Sequence, residues 1–201
     1  LIVGGIAIFM FYPIAWMFFS SFKPTEQVMT TVAQLFPSSW TLENYATGWK
    51  GFGGITFATF FKNSFFITIL STVGAVISST MVAYGFARAN FKGKRVLFLC
   101  MMITMMLPNQ VIMIPQYIIF NMLGWVNTPS PIIVPAWCAK PLFIFMIMQF
   151  IEGIPRDLDE AAKMDGCSPY TIFTRIMVPL VKPAMVTCAI FEFYWKWDDY
   201  M

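Results

Sequence analysis

Apolar positions fall into five long runs, 1–19, 63–87, 96–119, 132–150 and 184–201, and the segments between them hold most of the charge. Within each run the apolar residues are continuous rather than alternating, and each is close to the roughly 20 residues that a helix needs to cross a hydrocarbon core of about 30 Å. Only helices and closed barrels satisfy their backbone hydrogen bonds in lipid, and a barrel strand would alternate over about ten residues. The pattern therefore predicts an all-α, polytopic membrane protein with five transmembrane helices, its surface covered by a lipid bilayer. Composition agrees, since 58% of the 201 residues are hydrophobic and 11% charged, against roughly 25% charged in soluble domains. The first run starts at Leu1 and the last stops at Met201 in semi-apolar sequence. The expectation is thus one membrane domain, 1–201, cut at both ends. Neither a basic leader nor a small-residue cleavage site precedes Ser20, so the first run reads as a membrane helix rather than a signal peptide.

Charge then orients the helices. Segment 88–95 carries Arg88, Lys92, Lys94 and Arg95, and segment 151–183 carries Arg156, Lys163, Arg175 and Lys182. On the other side 20–62 has Lys23, Lys50 and Lys62, and 120–131 has no basic residue. Basic residues concentrate on the cytoplasmic side of short loops, which puts 88–95 and 151–183 in the cytoplasm and 20–62 outside. In the external segment, residues 36–54 with Pro37, Trp40 and Trp49 read either as a short interfacial helix or as a plain loop. No basic stripe with interleaved aromatics exists, so a nucleic-acid partner is not expected.

Catalytic chemistry finds no foothold. Histidine is absent, which removes the commonest general base and metal ligand, and no Gly-rich Gly-Lys-Ser/Thr loop is present to cradle a phosphate. Cys100, Cys138, Cys167 and Cys188 lie far apart, without zinc or redox spacing, and are expected to be small buried hydrophobes. The chain is expected to be no enzyme, with no cofactor, no metal site and no catalytic residue.

Segment 151–183 is too long for a simple turn and reads as two short helices. Pro155 can open the first, with Leu158, Ala161 and Ala162 as an apolar face and Asp159 placed four residues before Lys163 as a favourable pair. Gly166 can end it. Ser168 is a good N-cap with Pro169 at the first helical position, and Ile172, Phe173, Ile176 and Met177 give the second helix its apolar face. Pro179 and Pro183 are expected to bend the chain into the last membrane helix. Two alanines on an outer face let a partner approach closely, and Glu160 beside them offers a carboxylate to an arginine of that partner. A helix resting on lipid headgroups is the other reading, although such a face would prefer Trp, Phe or Leu.

This loop resembles that of the membrane-spanning subunits of binding-protein-dependent ABC importers. Their pattern runs Glu-Ala-Ala, three residues, Gly, nine residues, Ile, one residue, Leu-Pro. Here it reads Glu160, Ala161, Ala162, three residues, Gly166, nine residues, Ile176, Met177, Val178, Pro179, with Val178 the one departure. The likeness extends along the chain to the carbohydrate branch, including the smaller permease of the maltose transporter. It rests on Ser20-Ser21-Phe22-Lys23-Pro24, Asn44-Tyr45, Asn63-Ser64, Tyr84-Gly85-Phe86-Ala87-Arg88, Leu107-Pro108, Ile114-Pro115, Leu123-Gly124-Trp125 and Asn127-Thr128. Trp197-Asp198-Asp199-Tyr200 resembles a Trp-Asn-Asp/Glu-Phe pattern of that branch, with Asp198 in place of Asn.

The resemblance implies a sugar-importing permease in a bacterial inner membrane, with six helices of which five are present. It implies a second permease, two ATP-binding cassette subunits and an extracytoplasmic solute-binding protein as partners. ATP hydrolysis would belong to a partner, coupled through Glu160, Ala161, Ala162, Asp165, Gly166, Ile176 and Pro179.

Ionisable residues inside lipid are functional candidates by default. Lys140, beside Pro141, and Glu192 could line a translocation pathway, with Asn109 and Gln110 after the Pro108 break as partners for sugar hydroxyls. Lys140 could instead be paired with Glu192, and Glu192 with Lys196 four residues on. Trp125, Trp137, Trp195 and Trp197 read as interface anchors near helix ends. Three rivals remain open from sequence: an ion-coupled secondary transporter using Lys140 and Glu192 as a relay, an importer of another solute class, or a structural or assembly subunit with no solute path.

Overall fold

The computed structural model describes residues 2–30 and 34–199, apart from the side chains of 2, 3, 8 and 109. Described residues are almost wholly helical, with no strand among them beyond an isolated bridge between Phe52 and Ile55. Eleven α-helices follow one another: α1 (Ile2–Ser20), α2 (Thr25–Thr30), α3 (Glu43–Trp49), α4 (Phe57–Arg88), α5 (Lys94–Met105), α6 (Asn109–Met122), α7 (Ser130–Ala136), α8 (Pro141–Glu152), α9 (Asp157–Met164), α10 (Pro169–Ile172) and α11 (Val178–Trp197), with a π turn, Phe173–Met177, between the last two. They form two compact units, 1–63 and 64–201.

In the first unit the turn after α1 is tied to α3. Asn44 Nδ2 donates to the carbonyls of Ser21 (3.0 Å) and Lys23 (2.6 Å), and the Ser21 and Tyr45 hydroxyls lie 2.7 Å apart. Phe22 packs its ring against Trp40 and Tyr45 at 5.5 and 5.6 Å. The Ser20–Pro24 and Asn44-Tyr45 segments singled out in the sequence therefore meet. Segment 36–54 contains a seven-residue helix, α3, with exposed Trp40 ahead of it and exposed Trp49 as its last residue.

The second unit is built on α4. Apart from Val76, its buried stripe is made of small residues, Thr68, Ser71, Gly74, Ala75, Ser79, Thr80, Ala83 and Ala87, which let neighbouring backbones approach closely where lipid offers no hydrophobic drive. Gly74 is the extreme case, because the Trp137 indole occupies the place a Cβ would take. Helix α8 packs on both α5 and α11, burying Phe143, Ile144, Ile147, Met148 and Ile151 on one face. The outward surface stays apolar, with Val96, Ile114, Ile118, Ile190 and many others exposed, as a lipid-facing or partner-facing surface requires.

Three helices, Phe57–Arg88, Ser130–Glu152 and Pro169–Trp197, are long and apolar enough to cross a membrane, and a fourth span results if α5 and α6 count as one. The stretch Gly4–Ser20 is a shorter apolar helix. Two expectations need correction. Run 96–119 is not one helix: α5 and α6 meet at a bend of 102°, because Pro108 sits extended (φ −63°, ψ 137°) at the head of α6 and proline supplies no N–H and disfavours helix just before it. The helix that holds the last apolar run starts at Pro169, well ahead of residue 184, since the π turn carries the chain from α10 into α11 without a break. Pro179 lies two residues past the π turn, inside this continuous helix.

Cysteines also depart from expectation. Cys188 is buried and Cys167 half-buried, but Cys100 and Cys138 are exposed. Their sulfurs sit on apolar surface that faces outward, a distinction invisible to composition.

Candidate functional site

Helix α9 begins at Asp157, two residues past Pro155, with Asp157, Asp159 and Glu160 in its first turn and Lys163 in its last. That arrangement complements the helix dipole at both ends. Gly166 ends it in the left-handed region (φ +78°). Its N–H donates to the Lys163 carbonyl and the Cys167 N–H to the Ala162 carbonyl, each at 3.0 Å, which satisfies two carbonyls the helix would leave open. Ser168 then caps α10 as expected, accepting the Thr171 N–H at 3.2 Å, with Pro169 first in the helix.

The two alanines do not share a face. Ala162 is 6% exposed and belongs to the core, whereas Ala161 is exposed beside Glu160. Adjacent helical positions point about 100° apart, so α9 has one anchored side, Asp159 and Ala162, and one free side. The free side presents Leu158, Glu160, Ala161 and Met164, with Asp165 exposed at its end. Ile176 is half-buried against the core, and Pro179 is exposed at the head of α11.

Asp159 does not pair with Lys163. Its Oδ2 lies 2.9 Å from Arg88 Nε, with the two side chains 10% and 8% exposed. Arg88 Nη2 donates to the Ile154 carbonyl at 2.8 Å, and Arg156 reaches the Ala87 carbonyl at a long 3.5 Å. Tyr84, one turn before Arg88, sets its ring 5.0 Å from that of Phe173 in the π turn. The end of α4 is therefore fastened to both halves of the loop. The i,i+4 pairing rule picked the wrong partner because a buried carboxylate gains more from a buried guanidinium than from an exposed ammonium.

The intramembrane ionisable residues are also brought together. Lys140 Nζ lies 2.5 Å from Glu192 Oε2, so Glu192 pairs with Lys140 and not with Lys196, which meets Asp199 at 2.6 Å. Lys140 sits at the break between α7 and α8, after Ala139 in a left-handed conformation (φ +62°), and its own N–H donates to the Ser79 hydroxyl of α4 at 2.9 Å. The ammonium lies 5.8 Å from the Phe143 ring centre and 5.7 Å from that of Trp195, two rings stacked nearly parallel. Trp137 and Trp195 are thus partly packing residues. Gln110 is exposed in the first turn of α6 and makes none of these hydrogen bonds; the Asn109 side chain and Tyr200 lie outside the described residues.

A family model described as the binding-protein-dependent transport system inner membrane component matches residues 74–201, the stretch that holds Arg88, Lys140, α9 and Glu192. The chain is 33% identical to the arabinooligosaccharides transport system permease protein of Halalkalibacterium halodurans, over 98% of this chain and 70% of that one. It is 38% identical to the trehalose transport system permease protein of Mycobacterium tuberculosis, over 93% of this chain and 67% of the relative. Against a probable ABC transporter permease protein of Bacillus subtilis the identity is 36%, and the chain spans 62% of its length. In fold it is similar to a chain of a bacterial ABC transporter involved in the import of the acidic polysaccharide alginate, with a TM-score of 0.87 at 24% identity, covering all of this chain and 69% of that one.

Proposed function

The chain belongs to the family of binding-protein-dependent transport system inner membrane components, and on that premise we propose that it serves a carbohydrate importer, docked on a separate ATPase through the free side of α9. Membership makes it a non-enzymatic, multi-pass membrane subunit of an ABC transporter, with ATP hydrolysis on a partner chain. It leaves no place for the ion-coupled alternative. The carbohydrate assignment is supported by relatives whose names specify arabinooligosaccharides and trehalose.

The observation that carries the docking role is the two-sided character of α9. Asp159 and Ala162 are buried, while Glu160, Ala161 and Asp165 are exposed and offered outward. An alanine flanked by carboxylates fits a groove rimmed by arginine, which binds carboxylate in a two-pronged fashion. In this reading 88–95 and 151–183 are cytoplasmic, the membrane is a bacterial inner membrane, and α1, α4, the α5–α6 pair, α7–α8 and the part of α11 past residue 183 make five crossings of six. The partners are one further permease, two ATP-binding cassette subunits and an extracytoplasmic solute-binding protein. Closure of the ATPase dimer on ATP carries α9 with it, and the two permeases swing to open the cavity outward. Lys140 belongs to the pathway wall together with Asn109 and Gln110, and Glu192 serves as its buried counterion.

Glu160→Lys in the full-length, reconstituted complex tests the docking role. Membrane insertion is expected to persist while stimulation of ATP hydrolysis by the loaded solute-binding protein is lost; stimulation equal to wild type would overturn it.

A further inference from the structure

Arg88 is the last residue of α4, and one guanidinium serves two anchor points. Nε faces the Asp159 carboxylate at 2.9 Å, and Nη2 donates to the Ile154 carbonyl at 2.8 Å. The first point lies within α9 and the second lies in the turn that leads into it. Two contacts from one rigid planar group fix both the position of α9 and its rotation about its own axis. From this we infer that Arg88 and Asp159 are positioning residues that hold the docking side of α9 in register with α4 and pass its movement to that helix. The inference rests on the reading of α9 as the docking helix.

Little else could do this. An isolated eight-residue helix is marginal, because nucleation is unfavourable and tertiary contacts must stabilise it. Inward, α9 offers Asp159 and the small side chain of Ala162. Asp159 and Ala162 are three positions apart and so share a face, opposite the side that carries Ala161. The pair is nearly dry, with side chains 8% and 10% exposed; separating such charges strands both without water, so the contact resists partial opening. Helix α4 has 32 residues and is therefore about 48 Å long, enough to carry a displacement at its cytoplasmic end through the bilayer. Among the described residues neither Oδ1 of Asp159 nor Nε of Arg88 has a hydrogen-bond partner, so the hold on this carboxylate is a close ion pair at 2.9 Å rather than a hydrogen bond.

The test uses the full-length permease with its partner permease, ATPase and solute-binding protein in nanodiscs. The native cysteines are replaced by serine, and Ala161→Cys reports docking by cross-linking to the ATPase. Arg88→Lys keeps the charge but cannot reach both anchor points as a planar fork does, and Asp159→Asn keeps the shape. Both are expected to keep the cross-link while stimulation by loaded binding protein falls about tenfold, a typical coupling magnitude. The exchange R88D/D159R is expected to recover most of that loss, which a general packing defect would not. Wild-type stimulation in R88K and D159N, or an exchange no better than the single variants, would overturn the inference while docking stands. If Asp159→Asn fails to assemble, Arg88→Lys and the exchange carry the decision by the same outcomes. A missing cross-link from Ala161→Cys in the otherwise unaltered chain would instead remove the docking reading itself, and the inference with it.

Discussion

Lys140 and Glu192, 52 positions apart in sequence, close an ion pair of 2.5 Å over a carboxylate with no exposed surface. The pair joins the break between α7 and α8 to the C-terminal third of α11, and the second oxygen of Glu192 has no partner among the described residues. Removing one member strands the other, which in buried pairs costs on the order of 3–5 kcal/mol, whereas replacing both by apolar residues is often neutral. Lys140→Met is therefore expected to lower the thermal midpoint of the purified complex, and K140M/E192L to restore most of it. Equal midpoints for wild type and K140M would count against a structural pair.

Ala161 and Ala162 should respond oppositely to added bulk. Ala161→Trp projects from the free side and is expected to leave the amount of folded permease unchanged while abolishing association with the ATPase. Ala162→Leu pushes into the core and should cost about 1–3 kcal/mol, read as a lower yield and melting temperature. Loss of association in both variants without loss of stability in A162L would contradict the assignment of faces.

Gly74 cannot accept a methyl group while Trp137 stays in place. Gly74→Ala is expected to destabilise the permease by about 1–3 kcal/mol through overpacking, and W137L in the same chain should relieve it. A G74A protein that melts with wild type would show that the indole swings aside without penalty.

Gly166 is open on all sides, with nothing near the site of an added Cβ, so its substitution tests backbone conformation alone. Gly166→Ala should cost about 1–2 kcal/mol for a left-handed residue, and Gly166→Asn less, since asparagine visits that region more readily. Hydrogen exchange of the α9 amides would report the difference, and identical protection in all three would refute it.

Signals confined to a few neighbouring residues were legible in the sequence. The stop at Gly166, the cap at Ser168 and the helix 157–164 all depend on local backbone chemistry, and the structure places them as expected, whereas the second short helix runs on into α11. Partners across long separations were not. Nothing near Asp159 marks Arg88 as its counterion over Lys163, and the choice between Lys140 and Lys196 for Glu192 needed the packing of α8 on α11. Local rules also failed where a proline has two meanings. Pro108 does end one helix and open the next, as its break in run 96–119 suggested, while Pro179 and Pro183, expected to bend the chain into the last membrane helix, sit inside α11.

The π turn has a consequence for how α10 and α11 join. Buried positions run Ile172, Met177, Val181, Ala184, Cys188 and Glu192, and the step of five from Ile172 to Met177 is one residue longer than an α-helix allows on a single face. The turn absorbs that surplus and corrects the phase by about 100°, so one seam stays inward from Ile172 to Glu192. The segment Pro169–Trp197 thus runs as one helix about 43 Å long. Ile172, close in sequence to the end of α9, and Glu192, facing Lys140, therefore lie on a single continuous seam of that helix.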